Sequence, residues 1–317
     1  MEFDIKSTFD TSIKYDSEEK IFLERIRQII LVNLAKNISF RMGNKIQRKA
    51  IENIYDILQK TRISATKDEM AQLISLLAFS KLDLKPAKFS AIFSLFKFIE
   101  ILEVDEEFEI RDELSKFHQA FVNFSTIQDI IINTCDEIFE MKISDIQLKE
   151  IKIVYFYSTI EGLHGFSGRD EIYVSISEIN SLIESMDSMK ISKADQLHII
   201  KLNFFRVFIH EAAHLVLRKS CNDFNCFTPN ILTPSQKKKF SKSEAGLIME
   251  NKLFKSYIDW NESVKQNTFN LDYCKMFLSN LIANNILDFD PELARTVERE
   301  NYVMGLDLSF KKTLSIC

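Results

Sequence analysis

Residues 192–219 read SKADQLHIIKLNFFRVFIHEAAHLVLRK, and this stretch predicts one long helix around which the fold is built. Ser192 followed three residues later by Asp195 has the spacing of a capping box, so we expect the helix to begin there. Between residues 204 and 217 apolar side chains surround the helix on almost every side, which is typical of a largely buried helix. The polar exceptions in its motif are His210, Glu211 and His214.

These three residues have the spacing of a hydrolytic metal site. His210 and His214 lie one helical turn apart on the same face and can offer two imidazole nitrogens to one ion. Glu211 lies about 100° round the helix from His210, where its carboxylate can reach a metal-bound water without binding the metal. Zinc lowers the pKa of such a water towards about 7, and a carboxylate can take its proton during attack on a carbonyl. We therefore expect Glu211 to be a general base.

The apolar setting favours a metal over a metal-free core. Burying a neutral polar group without a partner costs about 2–7 kcal/mol, and burying a charge costs more. One zinc ion with its water would satisfy both histidines and the glutamate together. The alternative is that protein groups satisfy them and no metal binds.

A catalytic zinc usually has three protein ligands and an open position. Metzincins carry a histidine six residues beyond the second motif histidine, but that position here is Ser220. HEAAH with a downstream glutamate helix instead resembles the gluzincin branch of the zincin metallopeptidases, over about residues 150–260. The resemblance implies one zinc ion per chain, a third ligand from a later helix, and hydrolysis of a peptide or protein substrate. The spacing from His214 to that helix is longer than in thermolysin-like enzymes. The resemblance therefore extends to the clan and to no named family.

Residues 243–254, SEAGLIMENKLF, resemble the helix that carries the third ligand in gluzincins. The resemblance implies that Glu244 binds the metal, with Ala245 and Gly246 leaving room for the two helices to approach. Glu250 remains a rival third ligand, or otherwise a carboxylate that orients a histidine ligand.

Glu244 also has a purely structural interpretation, because Ser241 stands three residues before it in a second capping-box pattern. Cys221 and Cys226 could pair or bind metal, but without a second Cys/His pair we interpret them as structural or incidental thiols.

Other polar residues carry weaker signals. His164, in a glycine-rich turn, could stabilise an oxyanion, although a solvated loop histidine is the simpler interpretation. Tyr302 could be the late tyrosine that many gluzincins direct at the tetrahedral intermediate. His118 and His198 fall in helical patterns and are interpreted as packing or surface residues.

Two segments rich in β-branched and aromatic residues predict strands, IKIVYFY at 151–157 and EIYVSIS at 171–177, separated by the turn GLHGFSGRD. In the zincin fold a strand before the motif helix forms the edge along which an extended substrate adds. The segment 171–177 has that place in the chain order.

The expected fold is predominantly helical α+β, with a helical N-terminal region at 1–145 and a zincin-like catalytic region with a short sheet at 146–317. No Pro/Gly linker marks the boundary, so the two halves could share a core. The helices predicted from apolar spacing before the boundary are 18–38, 44–60, 67–82, 85–102, 111–124 and 126–142.

Composition limits the classes of function. With 41 Lys plus Arg against 46 Asp plus Glu, the net charge of −5 gives no basic field for nucleic acid. The sequence contains neither a secretory signal pattern nor an apolar run of about 20 residues, so we expect a cytoplasmic protein without a membrane span. Five scattered cysteines also favour a reducing compartment.

Two other classes of function stay open. One is a helical interaction or regulatory protein whose zinc site is structural or vestigial. The other is an effector or toxin protease, delivered by a non-classical secretion route, that cleaves a single target protein. The role of residues 1–145 and the oligomeric state are open in each case.

Overall fold

The computed structural model describes residues 99–101, 108–139, 147–160, 162–221, 244–285 and 288–299, which form a mostly helical α+β arrangement with a small sheet, as predicted. The helices are α1 (Arg111–Val122), α2 (Ser125–Phe139), α3 (Ile176–Ser188), α4 (Lys193–Ser220), α5 (Ala245–Phe254), α6 (Trp260–Lys265), α7 (Leu271–Ile282) and α8 (Pro291–Ala294), with one 3-10 turn at Leu148–Glu150. The strands are β1 (Ile99–Ile101), β2 (Lys152–Ser158), β3 (Gly165–Ser167), β4 (Glu171–Ser175), β5 (Ile258–Asp259) and β6 (Val297–Glu298).

Helix α4 is the centre of the described core. It begins as predicted, because the Ser192 hydroxyl caps it by accepting a hydrogen bond from the backbone N–H of Asp195 at 3.2 Å. Helices α1, α2, α5 and α7 and strands β3 and β4 all pack against it, which explains why apolar residues occupy most of its circumference. Phe204, Phe205 and Phe208 are at most 1% exposed, and each such side chain contributes about 1.5–3 kcal/mol by leaving water.

The larger sheet has the strand order β1-β2-β4-β3. β2 and β4 are parallel, with Ile153 opposite Ile172, whereas β1 and β3 run antiparallel to their neighbours. β4 is therefore an interior strand, and the expectation that 171–177 forms the sheet edge is wrong. The edge on that side of the described sheet is β3, which lies within the sequence predicted to be a turn.

Two element boundaries also differ from the predictions. Residues 99–101 fall in a predicted helix, but their apolar-polar-apolar alternation suits a strand, and pairing with β2 overrides the helical periodicity around them. The strand predicted to reach residue 177 ends at Ser175. Its hydroxyl accepts a hydrogen bond from the N–H of Glu178 at 3.3 Å, so Ser175 caps α3 instead.

Helices α1 and α2 confirm the predicted helices 111–124 and 126–142 to within a few residues. Both share one apolar core with α4, so the described residues on the two sides of position 145 pack together. The predicted helices 18–38, 44–60 and 67–82, and most of 85–102, lie outside the described residues. The domain division itself therefore stays a prediction.

Among the described helices, none combines the length and the apolar character that crossing a lipid bilayer requires.

Candidate metal centre

The two motif histidines meet the start of helix α5. His210 and His214 come from consecutive turns of α4, and Glu244 lies directly before Ala245, the first residue of α5. One ligand atom from each of His210, His214 and Glu244 lies within 4.8 Å of the others, so this group could hold a metal ion. The predicted set of three ligands is thus brought together.

Glu244 is held in place by capping α5. Its Oε1 accepts the N–H of Gly246 at 3.0 Å, and its Oε2 accepts the N–H of Leu247 at 2.8 Å. The helix begins at residue 245, so Glu244 is the N-cap and not the third helical residue that a capping box with Ser241 requires. Ser241 lies outside the described residues, whereas Glu244 itself caps the helix. An ionised carboxylate has about four acceptor positions, so capping and metal binding are compatible.

The donor atoms are of the types that bind a metal, and the spacing between His210 and Glu244 suits a tetrahedral one. Nε2 of His210 lies 3.6 Å from Oε2 of Glu244, and Nε2 of His214 is in contact with Oε1. Two ligands of a tetrahedral zinc, each about 2.1 Å from the ion, lie about 3.4 Å apart. Two imidazoles and one carboxylate form a donor set typical of catalytic zinc, which leaves a fourth position for water or substrate.

Gly246 allows the two helices to approach. A Cβ atom at this position would overlap the imidazole ring of His210. The first turn of α5 therefore lies directly against the ring, as the small residues Ala245 and Gly246 led us to expect. Any larger residue at position 246 has to displace His210 or the start of α5.

Glu250 contacts Nδ1 of His210, the ring nitrogen that does not face Glu244. Its Oε1 lies 2.7 Å from Nδ1 of His210, whereas Nε2 of that ring faces Glu244. The same Oε1 accepts a hydrogen bond from Nη1 of Arg206 at 3.1 Å, and Arg206 also donates to Asn203. Glu250 is therefore placed to orient His210, because a ring nitrogen held by a carboxylate fixes which nitrogen faces the metal.

The charges within the group are strongly coupled. Burial disfavours a charge on His210, but the carboxylates of Glu244 and Glu250 outweigh it and raise the pKa of His210 to about 9. Burial alone would raise the pKa of Glu250, but Arg206 and His210 lower it to about 2. The pKa of Glu244 also lies well below its ordinary value, since the two motif histidines outweigh its burial. Both glutamates are therefore ionised at neutral pH.

Glu211 has the surroundings of an available base. It is 9% exposed, and none of the described residues forms a hydrogen bond or ion pair with its carboxylate. Its negative charge is one of those that raise the pKa of His210, which places it beside the metal group. A nearly buried carboxylate without a protein partner is costly unless a ligand or water uses it.

His164 lies near this group, on the chain leading into β3. Its Nδ1 is 3.4 Å from Oε2 of Glu178, whose Oε1 accepts the N–H of Gly162 at 2.8 Å. Burial lowers the pKa of His164, and the charges of Arg206, Arg299 and His210 lower it further. His164 is thus a partly buried side chain in the electrostatic environment of the site, and its Nδ1 forms no hydrogen bond with the described residues.

The remaining candidates lie elsewhere or outside the described residues. His118 is buried against Phe121, Phe204 and Phe208, and burial lowers its pKa to about 4, so it packs as a neutral ring. His198 contacts the carbonyl of Ala194 within its own helix. Cys221 is exposed and not in a disulfide. Cys226 and Tyr302 lie outside the described residues.

Arg206 is part of the site but was not predicted from the sequence. It is 3% exposed and pairs with Glu250, which is completely buried. A signal was present, because Arg206 is a charged residue within the apolar run and stands four residues before His210, on the same helical face. The partner needed to interpret it lies on another helix.

Comparison with known proteins gives no relative: no family model, no curated protein and no solved structure matches the chain significantly.

Proposed function

We propose that this chain is a zinc-dependent metallopeptidase of gluzincin type. The observation that carries the proposal is the meeting of His210, His214 and Glu244 beside Glu211, a nearly buried carboxylate without a partner among the described residues. Two imidazoles and a carboxylate are ligands that zinc commonly takes at hydrolytic sites. The resemblance of HEAAH and its glutamate helix to the zincins supports the same class.

Glu211 and Glu250 would have separate roles in peptide hydrolysis. When bound, zinc supplies a Lewis acid that makes water a nucleophile near neutral pH. Glu211 accepts a proton from the water as its oxygen bonds to the scissile carbonyl carbon. The C–N bond then breaks, and Glu211 delivers the proton to the leaving amine. Glu250 holds His210 by Nδ1, which keeps Nε2 directed to the metal position.

His164 is the candidate in this proposal for stabilising the developing oxyanion. A neutral or charged imidazole can donate a hydrogen bond to an oxygen that gains negative charge. Nδ1 of His164 forms no hydrogen bond with the described residues, so the ring keeps the hydrogen-bonding capacity that such a role needs. Its replacement by alanine should lower kcat more than it raises KM, whereas the same change at His198 should leave both unchanged.

The deciding experiment is Glu211→Gln. We expect the variant to keep about one equivalent of zinc while hydrolysis of a generic peptide library falls by at least a hundredfold, because general base catalysis contributes about 10²–10⁴ in rate. Glu184→Gln, on the exposed face of α3, is the matched control and should retain activity. Full activity in Glu211→Gln would rule out this mechanism.

A structural zinc is the second candidate, since the three ligands join α4 to α5. It predicts that chelation lowers the melting temperature while no peptide is cleaved before or after chelation. A structural zinc normally has four protein ligands, however, and the described residues bring three together.

A further inference from the structure

Strand β3 lies along the part of α4 that carries the motif. A Cβ atom on Gly165 would lie 2.9 Å from Cγ1 of Val207, one turn before the motif. At the other end of β3, Arg218 reaches Ser167 from one turn beyond the motif. The outer strand of the described sheet therefore follows the candidate metal centre from one side to the other.

The hydrogen bonds of β3 determine which of its backbone groups face outward. Just before the strand, the carbonyl of His164 accepts the N–H of Ser175 in β4 at 2.9 Å. Hydrogen-bonded and non-bonded pairs alternate along an antiparallel ladder. The N–H and C=O groups of Gly165 and Ser167 therefore point away from β4, towards the side of β3 on which no described strand pairs and an extended peptide could pair.

Arg218 already occupies one end of this edge. Its Nη1 donates to the carbonyl oxygen of Ser167 at 3.0 Å and to the Ser167 hydroxyl at 2.6 Å. Ser167 is 2% exposed, whereas Gly165 is half-buried. Because an arginine stays charged at any physiological pH, a change of pH does not remove this hydrogen-bond donor from Ser167. Among the described residues, Arg218 therefore occupies the outward carbonyl of Ser167, whereas none occupies the outward groups of Gly165.

We propose that Arg218 determines substrate specificity by restricting main-chain pairing with β3 to Gly165. This inference rests on the proposed peptidase function. On the Val207 side of the metal position, an extended peptide then forms backbone hydrogen bonds with Gly165. On the other side, the next peptide residue would need the carbonyl of Ser167, which already accepts from Arg218. The favoured substrate is a peptide that needs only a short extended stretch on one side of the scissile bond.

The test uses the full-length zinc-loaded protein and peptides with one cleavable core. One series extends the core residue by residue at the N-terminus, and a second extends it at the C-terminus. In the series that reaches Ser167, the wild type should gain less than about twofold in kcat/KM from the residues that would pair there. Arg218→Met frees the Ser167 carbonyl while keeping an apolar stem, and should gain about fivefold from the same residues, the usual worth of one hydrogen bond.

Lys219→Met is the matched control, because Lys219 stands next to Arg218 and pairs with Asp170 at 2.6 Å instead of with β3. It should reproduce the wild-type length dependence. Equal length dependence in the two methionine variants overturns the inference, as does a wild type whose rate rises with every added residue in both series. Should Arg218→Met fail to fold, the wild-type series alone decides. No cleavage of any peptide by the wild type refutes the proposed function, and the inference with it.

Discussion

Nδ1 of His210 lies 2.7 Å from Oε1 of Glu250, a residue with no exposed surface. This contact gives the two downstream glutamates different roles, since Glu244 faces Nε2 of the same ring. Glu244 lies where it could be a metal ligand, and Glu250 lies where it could orient His210.

The two roles predict different losses of metal. Glu244→Ala removes a ligand and should abolish stoichiometric zinc binding. Glu250→Ala should weaken binding by about 10- to 100-fold, the usual effect of losing a carboxylate behind a histidine ligand. Zinc content after dialysis and competition with a chelator measure both. Loss of zinc in Glu250→Ala with retention in Glu244→Ala would show that Glu250 is the third ligand.

Gly246→Ala should damage the metal site although alanine favours helices by about 1 kcal/mol over glycine. The added Cβ would overlap the His210 ring, so the ring or the start of α5 must move. We expect a loss of about 1–3 kcal/mol in the free energy of unfolding and a measurable fall in zinc affinity. Asn251→Ala, at an exposed position of α5, is the control and should leave the zinc affinity unchanged without lowering the free energy of unfolding. Unchanged zinc affinity in Gly246→Ala would contradict the close approach.

Arg206→Met should be strongly destabilising. It leaves Glu250 buried without its cation, and breaking a buried pair in this way costs about 3–5 kcal/mol. Adding Glu250→Leu should restore much of the stability but not the zinc affinity. Lys201→Met removes a more exposed pair with Glu113 and should cost far less, because water screens that pair. Urea denaturation of the four proteins tests this, and similar losses for Arg206 and Lys201 would argue against a buried network.

Zinc binding should release protons at neutral pH. In the metal-free protein the pKa of His210 is about 9, so at pH 7.5 its ring is protonated and must lose a proton before binding a metal. Calorimetric titration in buffers of different ionisation enthalpy should report about one proton released from this ring at pH 7.5 and almost none at pH 10. Zinc binding without proton release at pH 7.5 would contradict the raised pKa.

The same shift predicts opposite effects of pH on stability with and without metal. The folded pKa of His210 lies above the value of 6.5 for an ordinary histidine, so its proton stabilises the metal-free fold below pH 6.5. That stabilisation is lost as the pH rises from 6.5 through about 9. In zinc-loaded protein, protons compete with the metal, and stability gained from zinc should fall as the pH falls. Melting temperatures from pH 6 to 10, with zinc or with chelator, separate the two trends.

Local patterns were sufficient where neighbouring residues alone determine the structure. Ser192 and Asp195 located the start of α4, and the spacing of His210 and His214 placed both rings on one helical face. The class of fold followed in the same way, because helical and strand periodicity are local. Ser175 shows the limit, because the strand pattern continued to residue 177 while this hydroxyl caps α3 and ends the strand.

Contacts between distant segments were decided only by the tertiary structure. No periodicity identifies β3 as an edge strand or β4 as an interior one, because strand order depends on which segments pair across the sheet. By contrast, the sequence by itself determined that His210, Glu211 and His214 lie close together on one buried helix. Only the packing of α5 against α4 assigned Glu244 and Glu250 to opposite nitrogens of His210, since both glutamates approach that ring from another helix.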